Sequence, residues 1–483
     1  MSDFKKSKGS DQMVELTPKL DIQSEKPLYL QLYNYIKQEI KTGNLTTDVK
    51  LPSKRKLAIH LSISQNTIEA AYEQLVAEGY VISIPRKGYY VSKLDRHIFR
   101  NDFQQSSIIE EKQFPNNSYL YDFTQVGVDP GSFPFGVFRK LTNELLQPKN
   151  EHLLKLGHPQ GEFDFRQAIA KYLYESRGVR CSPSQIIIGA GTQYLIRMLF
   201  QLLQGGIFAV EDPGYHRRFV NFEKSNRIKI IPLDQDGMIV SSLEESGANV
   251  AFVTPSHQFP CGMIMPISRR MQLLNWANMC EGRYIIEDDY DSEFRYSGKP
   301  IPALQGLDPN QKVVYMGTFS KALLPSLRVS YVVLPKPLID VIQNEYFFYA
   351  QTVPRMNQEL LRRFLDEGYW EKHISKMRVI YNKKRDILVK EIMSVFPKSV
   401  EIIGQESGLH VLVSIKNGMT EQELIEQAEH FNIKVYPLSA YGSHDNNTVL
   451  LGYATLSEKE IQSAVKMLGR AWFKGILAHE GRK

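Results

Sequence analysis

Apolar residues recur at helical spacing near the start of the chain. Leu28, Leu32, Ile36 and Ile40 lie four residues apart, which places them on one face of a helix. Gly43 is a common kind of residue just after the last helical turn. The pattern therefore predicts an amphipathic helix that ends near Gly43.

Two shorter helices and a hairpin are predicted next. Ser53 and Ser64 stand where N-caps belong, before a helix that reaches Leu61 and before a third helix. After them, the β-prone runs 80–84 and 89–91 flank a turn over residues 85–88 that carries two cations. Three short helices followed by a basic-tipped hairpin describe a winged helix-turn-helix, which we assign to residues 20–92.

Residues 93–118 lose this periodicity and gain Asn, Gln, Ser and mixed charge, which predicts a linker. From residue 119 onward, helical stretches alternate with short apolar runs that suit strands buried on both faces of a mostly parallel α/β sheet. The apolar runs are 186–188, 207–210, 228–231, 250–253, 284–286, 313–316 and 329–334. Three further runs, 409–415, 433–436 and 449–453, predict a smaller α+β lobe over about residues 367–483.

Composition and charge narrow the class of protein. The 483 residues are 42% hydrophobic and 23% charged, which is ordinary globular composition and excludes a wholly disordered or fibrous chain. Three distant cysteines without a C-x-x-C pair indicate neither a disulfide framework nor a metal site. No apolar run approaches the roughly 20 residues that span a bilayer, so we expect a soluble, cytoplasmic protein.

Cations and amide side chains gather in the predicted winged helix. Residues 1–95 carry a net charge of only +3, so we expect modest affinity for DNA per copy and binding as a dimer to paired half-sites. Lys54 and Arg55 stand at a helix start that can meet phosphates, and amide side chains at the start of the third helix can reach base edges. The candidate DNA contacts are Lys54, Arg55, Ser64, Gln65, Asn66, Thr67, Arg86, Lys87 and Gly88.

This segment resembles the GntR family of bacterial regulators. The similarity lies in Leu-Pro-Ser-x-Arg-x-Leu-Ala at 51–58, Ser-x-Asn-Thr-Ile at 64–68 and Ala-Tyr-x-x-Leu-x-x-Glu-Gly-Tyr at 71–80. The resemblance implies that Arg55, Ser64, Asn66, Thr67 and the wing residues 86–88 contact DNA. The family often has an arginine where this chain has Gln65, so its sequence preference should differ.

A second set of residues suits a phosphate-bearing aldehyde cofactor. Lys321 follows a buried run and two hydroxyl residues, and an arginine comes seven residues later; such a lysine can form a Schiff base while its neighbours hold a phosphate. Asp288 and Asp289 follow another buried run, and either carboxylate could pair with a pyridinium nitrogen. Pyridoxal 5'-phosphate is the natural candidate.

The order of these elements over residues 150–335 resembles the fold-type I aminotransferases. The resemblance implies that Lys321 forms the Schiff base, that Asp288 pairs with the pyridine nitrogen, and that Tyr290 binds the phenolic oxygen. It also implies a cofactor-binding set made of Gly191, Thr192, Gln193, Tyr215, Thr318, Ser320 and Arg328, in which Tyr215 stacks on the ring.

Two departures argue against ordinary transamination. The family usually has Asn before Pro-x-Gly, where this chain has Phe259. Leu450 and Leu451 stand in the run 449–453, where the arginine for the substrate carboxylate is expected. A buried carboxylate without a cationic partner is costly. Arg217 remains as a candidate effector contact.

A DNA-binding head on such a body resembles the MocR, or GabR-like, subfamily of GntR regulators. The resemblance implies a multidomain regulator of promoter DNA, a head-to-tail homodimer, and a small amine, an amino acid or the vitamer itself as effector. A working aminotransferase with an accessory head is the alternative, and a DNA-binding repressor with a cofactor-free body is a third possibility. We expect no steady enzymatic turnover.

Overall fold

The structure is a computed structural model that describes residues 16–94, 119–215, 227–296, 301–345, 350–442 and 447–473. It divides near residue 116 into two compact units, here called the head and the body. The predicted linker lies outside the described residues from position 95 onward, and its boundaries stay a prediction. No helix of the described ranges is both long enough and apolar enough to cross a membrane.

The head contains the predicted three helices and hairpin. Gly43 takes a left-handed φ of 88° directly after the first helix, as its position in the sequence predicts. Ser53 and Ser64 accept hydrogen bonds from the backbone N–H groups of Lys56 and Thr67, so both are N-caps. The elements are α1 (Leu28–Thr42), α2 (Lys54–Leu61), α3 (Gln65–Ala77), β1 (Val81–Ile84) and β2 (Gly88–Val91).

The helices of the head enclose one apolar core. The face of α3 that the sequence marks as inward is fully buried, and it packs on the buried face of α1. The Tyr72 hydroxyl donates to the Pro52 carbonyl 3.0 Å away, which ties α3 to the residues before α2. The start of α3 is thereby held in a fixed relation to α2.

The body is built on an eight-stranded sheet. Its strand order is β4-β11-β10-β9-β8-β5-β6-β7, and the pairs from β10 to β6 are parallel, whereas β11 and β7 pair antiparallel with their neighbours. All seven apolar runs predicted as strands lie in it. The strands are β4 (Ile186–Gly189), β5 (Phe208–Asp212), β6 (Ile228–Asp234), β7 (Gly237–Met238), β8 (Val250–Val253), β9 (Tyr284–Asp289), β10 (Val313–Thr318) and β11 (Ser330–Val333).

Helices cover this sheet because its strands are apolar on both faces. Their residues complete separate apolar clusters on the two sides of the sheet. The helices that precede the four-stranded sheet of the small lobe are α4 (Phe135–Leu145), α5 (Phe163–Arg177), α6 (Thr192–Leu202), α7 (Val240–Glu245), α8 (Ile267–Asn278), α9 (Lys336–Glu345), α10 (Arg355–Asp366) and α11 (Tyr369–Val395).

The small lobe has a four-stranded antiparallel sheet of order β12-β13-β16-β15. One predicted strand over 433–436 is in fact two, because β14 pairs with β3 and β15 pairs with β16. The sequence pattern did not indicate β3 or β12. The elements are β3 (Tyr121–Asp122), β12 (Glu401–Ile403), β13 (His410–Ser414), α12 (Glu421–His430), β14 (Ile433–Lys434), β15 (Tyr436–Pro437), β16 (Thr448–Gly452) and α13 (Glu458–Phe473).

Candidate functional site

Lys321 lies in a pocket at the end of β10. Its Nζ donates a hydrogen bond to the backbone carbonyl of Gln125 at 2.7 Å and lies 5.7 Å from the centroid of the Tyr290 ring. Burial lowers the pKa of this ammonium, and the charge of Asp291 opposes that effect only in part. A larger neutral fraction makes the amine a better nucleophile.

The pocket brings together most of the residues that the sequence assigns to a cofactor. Its empty space, with the open mouth included, is about 720 Å³, which is within the range of pockets for small molecules. The predicted residues that line it are Thr192, Tyr215, Asp288, Tyr290, Thr318, Ser320, Lys321 and Arg328.

The two neighbouring carboxylates at the end of β9 have different surroundings. Asp288 is buried and lines the pocket. Asp289 accepts hydrogen bonds from Arg177 Nε at 2.8 Å and from the Tyr315 hydroxyl at 2.6 Å. Since successive side chains of a strand point to opposite faces, only Asp288 is directed to the pocket. This geometry supports Asp288, the carboxylate that the family resemblance selects, over Asp289.

The opposite end of the pocket suits a phosphate. Gly191, with a φ of 92°, stands as the N-cap of α6, so the amides of Thr192 and Gln193 lie at a helix N-terminus, where an anion can be bound. A Cβ at Gly191 would overlap the guanidinium of Arg328, so the missing side chain leaves room for that group. Gln193 lies in the same first turn, where its side chain is exposed.

Ser320 adds a donor to this end of the pocket. Its Oγ is buried and has no hydrogen-bond partner among the described residues. Thr318 is better satisfied, because its hydroxyl receives a hydrogen bond from Ser330 Oγ at 2.9 Å. An unpartnered buried hydroxyl in a pocket that an arginine also lines is an arrangement that a bound phosphate would satisfy.

Aromatic rings form another wall. Phe259 packs edge-to-face against Tyr215, Tyr290 and Tyr441, with centroid distances of 5.7, 5.9 and 4.8 Å. Leu450 of β16 belongs to the same apolar cluster and is fully buried. A leucine that the sequence has where an arginine is expected therefore belongs to the apolar cluster in which Phe259 is packed.

Five lining residues had no assigned role in the sequence. Pro325 follows the lysine loop, and Phe259 was noted only as a departure from the aminotransferase pattern. The segment just before α4 carries no motif, so no local signal could place it beside a lysine about 200 residues later. The five residues are Gln125, Val126, Gly127, Phe259 and Pro325.

The predicted DNA contacts lie on the surface of the head. Ser64, Gln65 and Asn66 are exposed at the start of α3, and Thr67 is half-buried as the donor to the Ser64 cap. Arg55 is exposed in the first turn of α2, whereas the ammonium of Lys54 forms an ion pair with Glu69 of α3.

The wing presents its cations at the tip of the hairpin. Arg86 and Lys87 are exposed, and Arg86 has a left-handed φ of 62°. Gly88 begins β2 with a φ of 109°, a conformation that side chains disfavour.

Two family models match the chain. Residues 125–468 match the model for aminotransferase class I and II, and residues 28–91 match the model for bacterial regulatory proteins of the gntR family. The uncharacterized HTH-type transcriptional regulator YdeL of Bacillus subtilis is 44% identical, over 95% of this chain and 100% of its own length. The probable rhizopine catabolism regulatory protein MocR of Rhizobium meliloti is 31% identical, over 94% and 95%.

The chain belongs to the MocR-like subfamily of GntR regulators.

Membership of the MocR-like subfamily confirms the expected winged helix and the fold-type I aminotransferase fold. The kynurenine aminotransferase of Pyrococcus horikoshii, solved in complex with PMP, superposes with a TM-score of 0.65 at 26% identity, over 74% of this chain and 92% of the other. The fold that the body shares with this aminotransferase is that of a pyridoxal phosphate-dependent family.

The comparisons decide between the two leading interpretations of the sequence. MocR-like relatives that align over nearly the whole chain are named as transcriptional regulators, so this protein is a regulator of that type. The alternative, an aminotransferase with an accessory head, is not supported. Arg217, the candidate effector contact, lies outside the described residues.

Proposed function

We propose that this MocR-type regulator binds pyridoxal phosphate in the body pocket and promoter DNA through the head. The observation that carries the proposal is the position of Lys321 Nζ in a pocket that Asp288 and Arg328 also line. When bound, the cofactor supplies an aldehyde that bonds covalently to a primary amine.

The residues present would divide the binding of the cofactor among them. Asp288 would meet the pyridine nitrogen, and Tyr215 would stack on the ring. Ser320, Thr192 and Arg328, together with the amides that follow Gly191, would hold the phosphate, because they combine one fixed positive charge with several hydrogen-bond donors. Gln193 would contribute through its backbone amide in the first turn of α6.

The pocket favours an amine, or the vitamer itself, as effector. Lys321 and Arg328 are the cations that line the described part of the pocket, and the proposal assigns both to the cofactor. Phe259 lines the pocket and is packed on Leu412 and Leu450 of its apolar cluster, and these three side chains offer no partner for a carboxylate. Occupancy of the pocket would shift the body between two states and thereby change DNA binding.

Binding to DNA is proposed to require a homodimer. The net charge of +3 over residues 1–95 supports only weak phosphate attraction per head. Two heads on paired half-sites would bind together far more tightly than one. Light scattering of the purified protein, free and with a DNA fragment from upstream of its gene, measures this directly.

Titration with pyridoxal phosphate tests the cofactor assignment. The native protein should gain a new absorbance band, and reduction with borohydride should fix the added mass on the peptide that contains Lys321. Lys321→Ala should lose both signals. Lys312→Ala, which removes a lysine of the body outside the pocket, is the control and should keep them.

Two results would refute the proposal. An equal band in Lys321→Ala would show that another amine reacts. The absence of any band in the native protein at millimolar cofactor would show that the pocket does not take this group.

A further inference from the structure

His257 contacts two residues that differ in their hydrogen-bonding capacity. Its Nδ1 lies 2.9 and 3.0 Å from the two carboxylate oxygens of Asp291 and 2.9 Å from the hydroxyl oxygen of Tyr290. His257 and Asp291 are only 2% exposed. His257 therefore contacts the hydroxyl of Tyr290, which lines the Lys321 pocket.

The carboxylate determines which ring nitrogen carries the proton. An ionised carboxylate only accepts hydrogen bonds, so Nδ1 must carry hydrogen and donate to Asp291. The Tyr290 oxygen faces the same N–H and can only accept from it. The proton of the Tyr290 hydroxyl then needs an acceptor other than this nitrogen, which is Asp291 in the pocket as it stands and would be an oxygen anion when one is bound.

The Tyr290 hydroxyl also keeps that proton. Burial is the largest cause that raises its pKa well above the usual value of 10. The negative charges of Asp291 and Asp288, a side-chain hydrogen bond with Asp291 and the charge of Glu211 act in the same direction. Other titratable groups near the pair are Lys321 and His410, whose ring centroid lies 5.6 Å from that of His257. Tyr290 is thus a hydrogen-bond donor at neutral pH.

Phe259 packs edge-to-face on the ring of Tyr290 and has no hydrogen-bonding group in its side chain. Phe259 precedes Pro260, and its side chain offers the pocket no hydrogen bond. Among the described aromatic residues that line this wall, the hydroxyls belong to Tyr215 and Tyr290, and the His257 contact is made by Tyr290.

We propose that His257 and Asp291 are positioning residues that make the Tyr290 hydroxyl a hydrogen-bond donor to an oxygen anion bound in the pocket. This inference rests on the proposed function, in which that anion is the phenolic oxygen of the cofactor. Asp291 keeps the imidazole proton of His257 on Nδ1. That N–H then occupies the Tyr290 oxygen as an acceptor, so the hydroxyl proton of Tyr290 is directed elsewhere.

The pH titration of the absorbance of the bound cofactor tests the pair. A donor to the anion favours the deprotonated form, so the loss of the donor raises the midpoint. Tyr290→Phe should raise it by about one pH unit, a tenfold change in proton affinity. Asp291→Asn should have a similar effect, because an amide can donate to Nδ1 and turn it into an acceptor of the Tyr290 proton.

Matched variants separate this role from a simple loss of charge. His257→Asn keeps an N–H in the same place and should leave the midpoint within about 0.3 units, whereas His257→Leu should raise it. In a Tyr290→Phe background, Asp291→Asn should add nothing. Glu211→Gln removes another buried carboxylate near Tyr290 and should have the same effect in both backgrounds.

Two outcomes would overturn the inference while the cofactor assignment stands. One is a normal Lys321-dependent band with an unchanged midpoint in Asp291→Asn. The other is an Asp291→Asn shift that persists in full without the Tyr290 hydroxyl.

A measurement on the cofactor-free protein keeps the test independent. Selective ¹⁵N labelling of histidine should show His257 protonated on Nδ1, with Asp291→Asn moving the proton to Nε2. An Nε2–H tautomer in the native protein would refute the inference about His257, whether or not the absorbance band appears. The absence of the band would refute the proposed function and would leave the tautomer result as it stands.

Discussion

Asp288 and Asp289 are adjacent in sequence, yet Asp288 lines the pocket while Asp289 is bound to Arg177 on the other side of β9. Both carboxylates are buried. Their surroundings imply different roles, so the loss of each should have a different consequence.

Asp288→Ala should therefore weaken cofactor binding, while the free energy of unfolding stays within about 1 kcal/mol of the native value. Asp289→Ala should lower the free energy of unfolding by about 3 to 5 kcal/mol, because it leaves the buried Arg177 without its carboxylate. Urea denaturation and cofactor titration of both variants measure the two effects. Equal stability losses would contradict the assignment.

Gly191→Ala should damage the phosphate end of the pocket without unfolding the body. A Cβ there would displace the Arg328 guanidinium. Gly205→Ala is the matched control, because Gly205 also has a positive φ, 80°, but has open space around it. Gly205→Ala carries a backbone cost of about 1 kcal/mol, and Gly191→Ala a larger one, because the φ of 92° and ψ of 163° at Gly191 are a combination that almost only glycine adopts. Only Gly191→Ala should lower the affinity for pyridoxal phosphate, by tenfold or more, in an absorbance titration.

His410 should make the cofactor-free protein less stable in mild acid. Burial, together with the nearby His257 and Lys321, lowers its pKa to about 3. The folded chain then stays unprotonated at this site while the unfolded chain binds a proton below about pH 6.5. The stability from this group is complete above pH 6.5, and about 1.4 kcal/mol is lost for each pH unit below it.

His410→Gln removes this loss while it keeps a donor for the Pro260 carbonyl, which His410 Nε2 contacts at 3.0 Å. Urea unfolding at pH 7.5 and 5.5 should show a smaller difference in the variant, by about 1.4 kcal/mol. His430→Gln changes an exposed histidine and should behave as the native protein does. Identical differences in all three proteins would contradict the prediction.

Removal of a wing cation should weaken DNA binding at every sequence alike. Lys87→Gln should lower the slope of log affinity against log salt by about one, since one phosphate contact is lost. Lys26→Gln removes an exposed cation to which no motif assigns a DNA contact, and it should leave the slope unchanged. Fluorescence anisotropy with a labelled duplex at several salt concentrations gives both slopes.

Asn66→Ala should instead reduce discrimination between sequences. Its side chain is exposed at the start of α3, where an amide can pair with an adenine edge. Selection from a random DNA pool should yield a site with one position relaxed relative to the native protein. A uniform loss at all positions would assign Asn66 to the backbone.

The sequence predicted those features that depend on local patterns. The three helices of the head follow from apolar spacing and the serine caps, and the sheet of the body follows from runs such as 313–316. Asp288, Lys321 and Arg328 could be found because each stands next to a strand or its following loop.

The features that the sequence did not reveal depend on long-range contacts. Gln125 approaches Lys321 only through the fold, and β3 exists because β14 passes beside it. His257 and Asp291 are both close to known motifs, but neither spacing nor periodicity indicates that one imidazole nitrogen meets a carboxylate and a hydroxyl at once.

The hydrogen bond from Lys321 to the Gln125 carbonyl has a consequence for signalling. Gln125 lies only a few residues after the segment that joins the head to the body, and its side chain also bonds to Tyr441. A covalent bond between Lys321 Nζ and a bound aldehyde would remove the ammonium donor that holds the Gln125 carbonyl. If pyridoxal phosphate binds as proposed, the main-chain oxygen of Gln125 would lose this donor, and the backbone at the start of the body would be held less firmly.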